Sequence, residues 1–311
     1  MPERPRAIQR VYALRIVILI AVLVATFSLA SRDFFSLRTV EKTFLLIPAD
    51  GVIAIGVTLV MIIGELDVSV GGTLAVSGLL LVKLLPYGLW AAIAVSLAAG
   101  ALIGFVNGFI VHRLKVNSLI TTVATGFVLS GVAFLLSNQS VGFTNDLLTG
   151  FGNRSLWVFP VSTLFYFAVT VLIQAVLKRT IYGVKLYAVG GSRLSSRYTG
   201  ISVERMGISV FVLCGFCAAL GGVLYCARLA TASPTFGGDT AIFVITAVLL
   251  GGTTLGGGNG DVVRTLLGVI LLSLLSKGFT QLQVPAFYQN MAIGAILVIL
   301  LFAGSKLVNR Q

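Results

Sequence analysis

Apolar residues fall along this chain in continuous blocks separated by short polar stretches. The blocks lie near residues 11–30, 43–63, 68–85, 89–111, 118–136, 160–177, 207–225, 240–250, 262–282 and 286–303. Most are close to the ~20 residues that a helix needs to cross a bilayer. They are unbroken rather than alternating, which favours helices over a barrel. The pattern predicts an all-α integral membrane protein, one domain over residues 1–311, with about ten transmembrane helices.

The first block follows Arg4, Arg6 and Arg10 and ends in Ser28-Leu29-Ala30, which mimics a signal-peptide cleavage site. It is longer than a signal-peptide core and more membrane blocks follow, so it is expected to be an uncleaved first span. The longest polar interruption runs from Lys178 to Met206. It carries Lys178, Arg179, Lys185, Arg193, Arg197 and Arg205 against Glu204. Short cytoplasmic loops concentrate Lys and Arg, which makes this loop and both termini cytoplasmic. The larger share of the 22 Lys and Arg residues then lies inside, with Lys306 and Arg310 at the end, and a shift by one span would reverse that bias.

The same loop predicts a short helix. Ser192 is placed to cap it and Gly200 to close it in the left-handed conformation. Leu194 and Tyr198 share one edge, Arg193 and Arg197 another. Two turns are too few to be stable alone, so the helix is expected to rest on a partner. A solvated loop that only sets topology accounts for the charge equally well.

Two glycine-rich stretches interrupt the blocks: Gly64-Glu65-Leu66-Asp67-Val68-Ser69-Val70-Gly71-Gly72, and Gly251 through Asp261, which contains Gly251, Gly252, Gly257, Gly258 and Gly260. Glycine permits tight non-helical backbone, which is tolerated at membrane depth only where protein or water covers it. Broken or re-entrant turns of this kind accompany binding and gating in transporters. Asp67 and Ser69 are expected to fix the first turn, one of them capping the third helix. The second turn is no phosphate loop, since it lacks GxxxxGK[ST] and any lysine.

Gly100, Gly104 and Gly108 form a face suited to close helix packing. Asp50 beside Pro48 is assigned to the substrate path, because an acid in lipid costs about 2.5–3.5 kcal/mol and should face inward. Asn107, Thr121, Thr122 and Thr125 join it as path candidates, although a Thr in such a span more often bonds its own helix.

Composition agrees. The chain of 311 residues is 57% hydrophobic and only 10% charged, with mean hydropathy +1.04, where soluble domains are about a quarter charged. The net charge of +12 sits at block ends, not in a stripe, which speaks for topology and against nucleic acid. Cys214 and Cys217 have CxxC spacing but no βαβ context, and with Cys226 they read as small buried side chains. His112 reads as an interfacial residue. No metal cluster or catalytic constellation is assembled.

Three motifs together resemble the permease subunits of ribose-type ABC importers. They are Leu66–Gly72, Tyr187–Ile201 and Leu249–Gly260. In the first, Asp67, Ser69, Val70 and Gly71 match the family pattern. In the loop, Ala188, Gly190, Gly191, Gly200 and Ile201 match. In the third, Gly251, Gly252, Thr253, Leu255, Gly257, Gly258, Gly260 and Thr265 match, and Asn107-Gly108 matches a further Asn-Gly. Glu65 departs from the pattern, as do Ser192, Ser195, Ser196, Arg264, Ala241 and Phe243.

The resemblance implies inward transport of a monosaccharide or related small polyol across the bacterial inner membrane. It implies four kinds of partner: an ABC ATPase that carries the ATP and Mg, a periplasmic or lipoprotein sugar-binding protein, a second permease chain of the same or a sister kind, and the bilayer. No cofactor is implied for this chain and it is not an enzyme. ATPase coupling would fall to Ser192, Arg193, Leu194, Arg197, Tyr198 and Gly200. The competing reading is an ion-coupled secondary transporter that uses Asp50, Glu65 and Asp67.

Overall fold

The computed structural model describes residues 6–31, 34 and 36–308. Arg4 and Arg310 lie outside the described residues, as do the side chains of Arg6, Arg10 and Lys306. The chain is a helical bundle of α1 (Arg6–Ala30), α2 (Leu37–Ile62), α3 (Val70–Leu84), α4 (Leu89–His112), α5 (Ser118–Leu136), α6 (Asp146–Asn153), α7 (Val161–Arg179), α8 (Ile181–Gly191), α9 (Arg193–Tyr198), α10 (Val203–Leu229), α11 (Thr240–Leu250), α12 (Val262–Gln281) and α13 (Ala286–Val308).

Among the described residues, seven helices are long and apolar enough to cross a membrane: α2, α3 with its following turn, α4, α5, α7, α10 and α12. Shorter apolar helical stretches are Ile16–Ala30, Thr240–Leu250 and Ala286–Phe302. The block at 240–250 forms a helix with the expected bounds, α11. Its 11 residues make a helix of about 16 Å, roughly half the hydrocarbon thickness, because the chain turns at Gly251-Gly252.

The polar stretch at 178–206 also differs from a loop. α7 runs through Arg179, and α8, α9 and the first turn of α10 fill most of the rest. Leu186 and Val189 of α8 are buried, so this helix is anchored from one side.

α2 is the central element. It is apolar on all sides and packs against α10, α12, α7 and α11, as an all-round hydrophobic helix must. Pro48 lies inside it and cannot donate to the Phe44 carbonyl four residues back,. The Thr163 hydroxyl donates to that carbonyl instead, at 2.6 Å, and Arg228 Nη1 reaches the next one, on Leu45, at 3.4 Å.

α10 is the second pillar, and its closest neighbour is α4. A Cβ at Gly104 would stand well inside contact with the Phe211 carbonyl, and one at Gly215 would strike the Gly100 carbonyl. The two backbones touch because neither side presents a side chain there.

At the far end of α10 from α9, β1 (Val141–Gly142) pairs with β4 (Thr231–Ala232), and β2 (Ser155–Leu156) forms a hairpin with β3 (Phe159–Pro160). Asn153 Nδ2 donates to the carbonyls of Ala227 and Arg228 at 3.2 and 3.0 Å, two of the acceptors left open at a helix C-terminus.

The α4–α10 seam yields a test. Gly104→Ala forces backbone apart and should cost about 1–3 kcal/mol. Gly131, with nothing within 4 Å, should instead gain roughly 0.4–1 kcal/mol as Ala. Thermal unfolding of both variants in one detergent reads the difference, and equal midpoints would exclude a seam held by backbone contact.

Candidate functional site

The three glycine motifs, distant in sequence, meet at one place. Ile62 ends α2, and its carbonyl has no donor within the helix. Gly258 N–H donates to it at 2.8 Å. Gly190 of α8 lies against the same carbonyl, so closely that a Cβ there would overlap the oxygen. Gly257 sits 2.9 Å, by the position of a Cβ, from both the Gly190 carbonyl and the Gly64 nitrogen. Gly64, Gly257 and Gly258 have φ of 76°, 76° and 70°, a region that side chains disfavour. The Tyr187 hydroxyl closes the arrangement by donating to the Gly260 carbonyl at 2.7 Å. Burial and the nearby Asp261 carboxylate push its phenol up to about 12, so it stays a neutral donor.

Asp261 anchors the far side. Oδ1 accepts from the Val263 and Arg264 amides at 3.0 and 3.1 Å and so caps α12. Oδ2 accepts from Gln174 Nε2 at 2.8 Å and pairs with Lys178 at 3.4 Å, both on α7.

The first glycine turn carries its own polar network. Asp67 Oδ1 accepts from the Ser69 amide at 2.9 Å and from the Ser69 hydroxyl at 2.6 Å. Ser69 therefore spends its hydroxyl on Asp67, and neither residue provides the expected side-chain cap of α3. Asn107 Nδ2 donates to Ser69 Oγ at 2.9 Å, and Asn107 Oδ1 accepts from Thr125 at 2.7 Å. Thr122 Oγ1 accepts from the Val68 amide at 3.1 Å, and Ser118 Oγ from the Leu66 amide at 3.3 Å. Asn107, Thr122 and Thr125 are thus fully engaged in bracing this turn against α4 and α5. Thr121 points back to the Asn117 carbonyl of its own helix at 2.9 Å.

α9 is tied to this assembly. Ser192 Oγ accepts from the Ser195 amide at 3.2 Å, and Gly200 has φ 79°. Arg193 reaches inward, donating to the Ile63 carbonyl at 3.2 Å and pairing with Glu65. It therefore does not share a free edge with Arg197. Leu194 and Tyr198 are 63% and 84% exposed, left largely uncovered by the described residues. A cavity of about 1210 Å³ opens beside the helix, lined by Glu65, His112, Arg113, Lys115, Arg193 and Arg197 among others.

The geometry is that of a short exposed helix fastened to two turns of a membrane bundle. The family described as branched-chain amino acid transport system / permease component matches residues 39–301. The ribose import permease protein of Escherichia coli (strain K12) is 36% identical over 291 residues, 91% of this chain and 90% of that protein. The chain belongs to the ribose-type ABC sugar permeases. The L-arabinose ABC transporter permease protein of Azospirillum brasilense is 32% identical, covering 91% of this chain and 85% of its own. The D-allose transport system permease protein of Escherichia coli (strain K12) is 29% identical, covering 90% and 87%.

Within this permease, Asp50 stands apart from the other candidates, at the middle of α2 and beside a different cavity. Ser118 and Gln174 escaped the sequence reading, because a single polar residue on an apolar helix does not declare its partner. The pair Glu65 and Arg193 escaped for the same reason.

Thr121 and Thr122 give a paired test of the network. Thr122→Val leaves the Val68 amide without an acceptor and should lower stability by about 1–3 kcal/mol. Thr121→Val removes only a bond within α5 and should stay within about 0.5 kcal/mol. Matching losses in detergent unfolding would refute the assignment of Thr122 to the turn.

Proposed function

We propose that this chain is the membrane subunit of an importer that carries a monosaccharide or related small polyol inward by alternating access, driven by a separate ATPase docked on α9. The observation that carries it is the exposed Leu194 and Tyr198 on a helix that Arg193 ties to the first glycine turn, next to α8, which packs against the second. A few apolar anchors usually supply most of an interface's energy. The names of the relatives, which speak of ribose, L-arabinose and D-allose, supply the substrate class.

On this reading α9 and both termini face the cytoplasm, and the two glycine turns are re-entrant backbone covered by protein. ATP and Mg belong to the ATPase. A periplasmic or lipoprotein binding protein delivers the sugar on the far side, and a second permease chain, identical or sister, completes the path in the bacterial inner membrane. Rocking of α9 is transmitted to α2 and α3 through Arg193, and to α11 and α12 through Gly190 and Gly191. This is the lever that a two-state transporter needs. The engagement of Glu65 by Arg193 and of Asp67 Oδ1 by Ser69 weighs against ion coupling through these two acids, since coupling needs acids free to exchange partners.

Co-purification of the ATPase, beside ATP-driven uptake, tests the docking. Leu194→Asp should abolish both while the chain still folds and inserts, because a charge would have to be desolvated in the groove. Arg193→Ala should keep the ATPase bound and weaken uptake, since it cuts the tie to the turn rather than the contact. Uptake at the wild-type level in Leu194→Asp would refute α9 as the dock.

A further inference from the structure

The end of the bundle away from α9 holds a polar cavity that the lever does not use. Its volume is about 300 Å³, and it lies between α2, α10, α11, α12 and α13. Ser273 and Asp50 form its inner part and Tyr225 one wall, while the exposed Asp239 and Asn290 stand at its mouth. Small-molecule sites start at about this size.

Asp50 is the informative residue. An acid in a membrane-spanning helix faces a polar interior and has a partner there. Among the described residues Asp50 makes no hydrogen bond and no salt bridge. Arg228 is the cation that acts on it, but that guanidinium is held by the Leu45 carbonyl and lies 5.4 Å from the centre of the Tyr225 ring. The hydroxyls of Tyr225, Ser273 and Ser276, all lining the cavity, likewise have no hydrogen-bond partner among the described residues. At the mouth, Asp239 Oδ2 accepts from Asn290 Nδ2 at 3.0 Å, which fixes one acceptor and leaves the mouth polar.

The set has a definite chemistry. The Asp50 carboxylate only accepts, and the three hydroxyls both donate and accept. The Tyr225 ring offers an apolar face beside them. A bare cation would want several converging oxygens, yet the second carboxylate is turned to Asn290. An anion would meet two carboxylates. A neutral, polyhydroxylated ring satisfies every group, with hydroxyl protons on Asp50 and C–H surface on Tyr225. We propose that this cavity is a transit site for one monosaccharide within a single protomer, held chiefly by Asp50. The proposal rests on the sugar-permease reading and adds the place where the sugar pauses.

The test uses intact cells that carry the chain with its ATPase and binding protein. Ser276→Cys places a thiol in the cavity, where the native cysteines are all buried elsewhere, and a membrane-impermeant methanethiosulfonate is added from outside. D-Ribose, L-arabinose and D-allose are the probes. At least one should slow labelling severalfold. Asp50→Asn in the same background should label at an unchanged rate without sugar, yet lose the protection. Asp50→Asn alone should lower uptake about tenfold or more, the effect of losing a hydrogen bond to a charged group. Labelling that no sugar slows, while the parent chain accumulates one of them, would overturn the site and leave the permease reading intact. So would protection or full uptake that survives Asp50→Asn. No labelling at all would show a cavity closed to the side from which sugar arrives, and would equally overturn it. Failure of the parent chain to take up any of the three would overturn the sugar reading, and this site with it.

Discussion

The carbonyl of Ile62 is the point on which the α9 end of this fold turns. It ends the most buried helix in the chain, and a carbonyl left bare there would cost several kcal/mol in a medium without water. Its donor is the Gly258 amide, brought from a turn almost two hundred residues further along the chain. For that amide to arrive, Gly257 and Gly258 must adopt left-handed backbone, and α8 must pass with no side chain at Gly190. One unsatisfied backbone group thus dictates three glycine motifs. It also explains why they are motifs: each position is constrained by backbone rather than by chemistry that another side chain could imitate.

The first turn obeys the same rule by different means. Residues 64–69 have almost no helical hydrogen bonds of their own, so their amides need side-chain acceptors. Asp67, Ser118 and Thr122 supply them, and Asn107 locks the set by serving as donor and acceptor at once. A buried network of this kind is stable when complete and costly when one member is lost. The polar residues on α4 and α5 are therefore better understood as the mould of a turn than as the wall of a channel.

The block pattern is sufficient to foresee a helical membrane protein, and the spacing of Gly100, Gly104 and Gly108 a closely packed helix face, though not that α10 is its partner. It also located α9, since a Ser and a Gly at the right interval state their own capping roles. What it could not convey was partnership across the chain. Asn107 and Ser69 are 38 residues apart, Arg193 and Glu65 128, and no local period links them. Helix α8 was hidden because Lys185 and two tyrosines interrupt a run that is apolar on only one side. The block at 240–250 matches α11 in its bounds, and Gly251-Gly252 sets where that helix stops.

The arrangement of ties decides how a push on α9 would travel. α9 is joined to α2 by a charged side chain and a backbone acceptor, and to the second turn by close backbone contact through α8. The first tie is directional and can be broken and remade. The second has no side chain to rotate, so any displacement of α8 must move residues 257–258 with it. The same contact includes the end of α2, because Gly190 also lies against the Ile62 carbonyl and the Gly258 amide donates to it. α8, the end of α2 and residues 257–258 are therefore held as one body, to which Arg193 adds a tie that depends on Glu65. On the proposed docking at α9, a push there would shift this body whole, which is what opening a path to one side at a time requires.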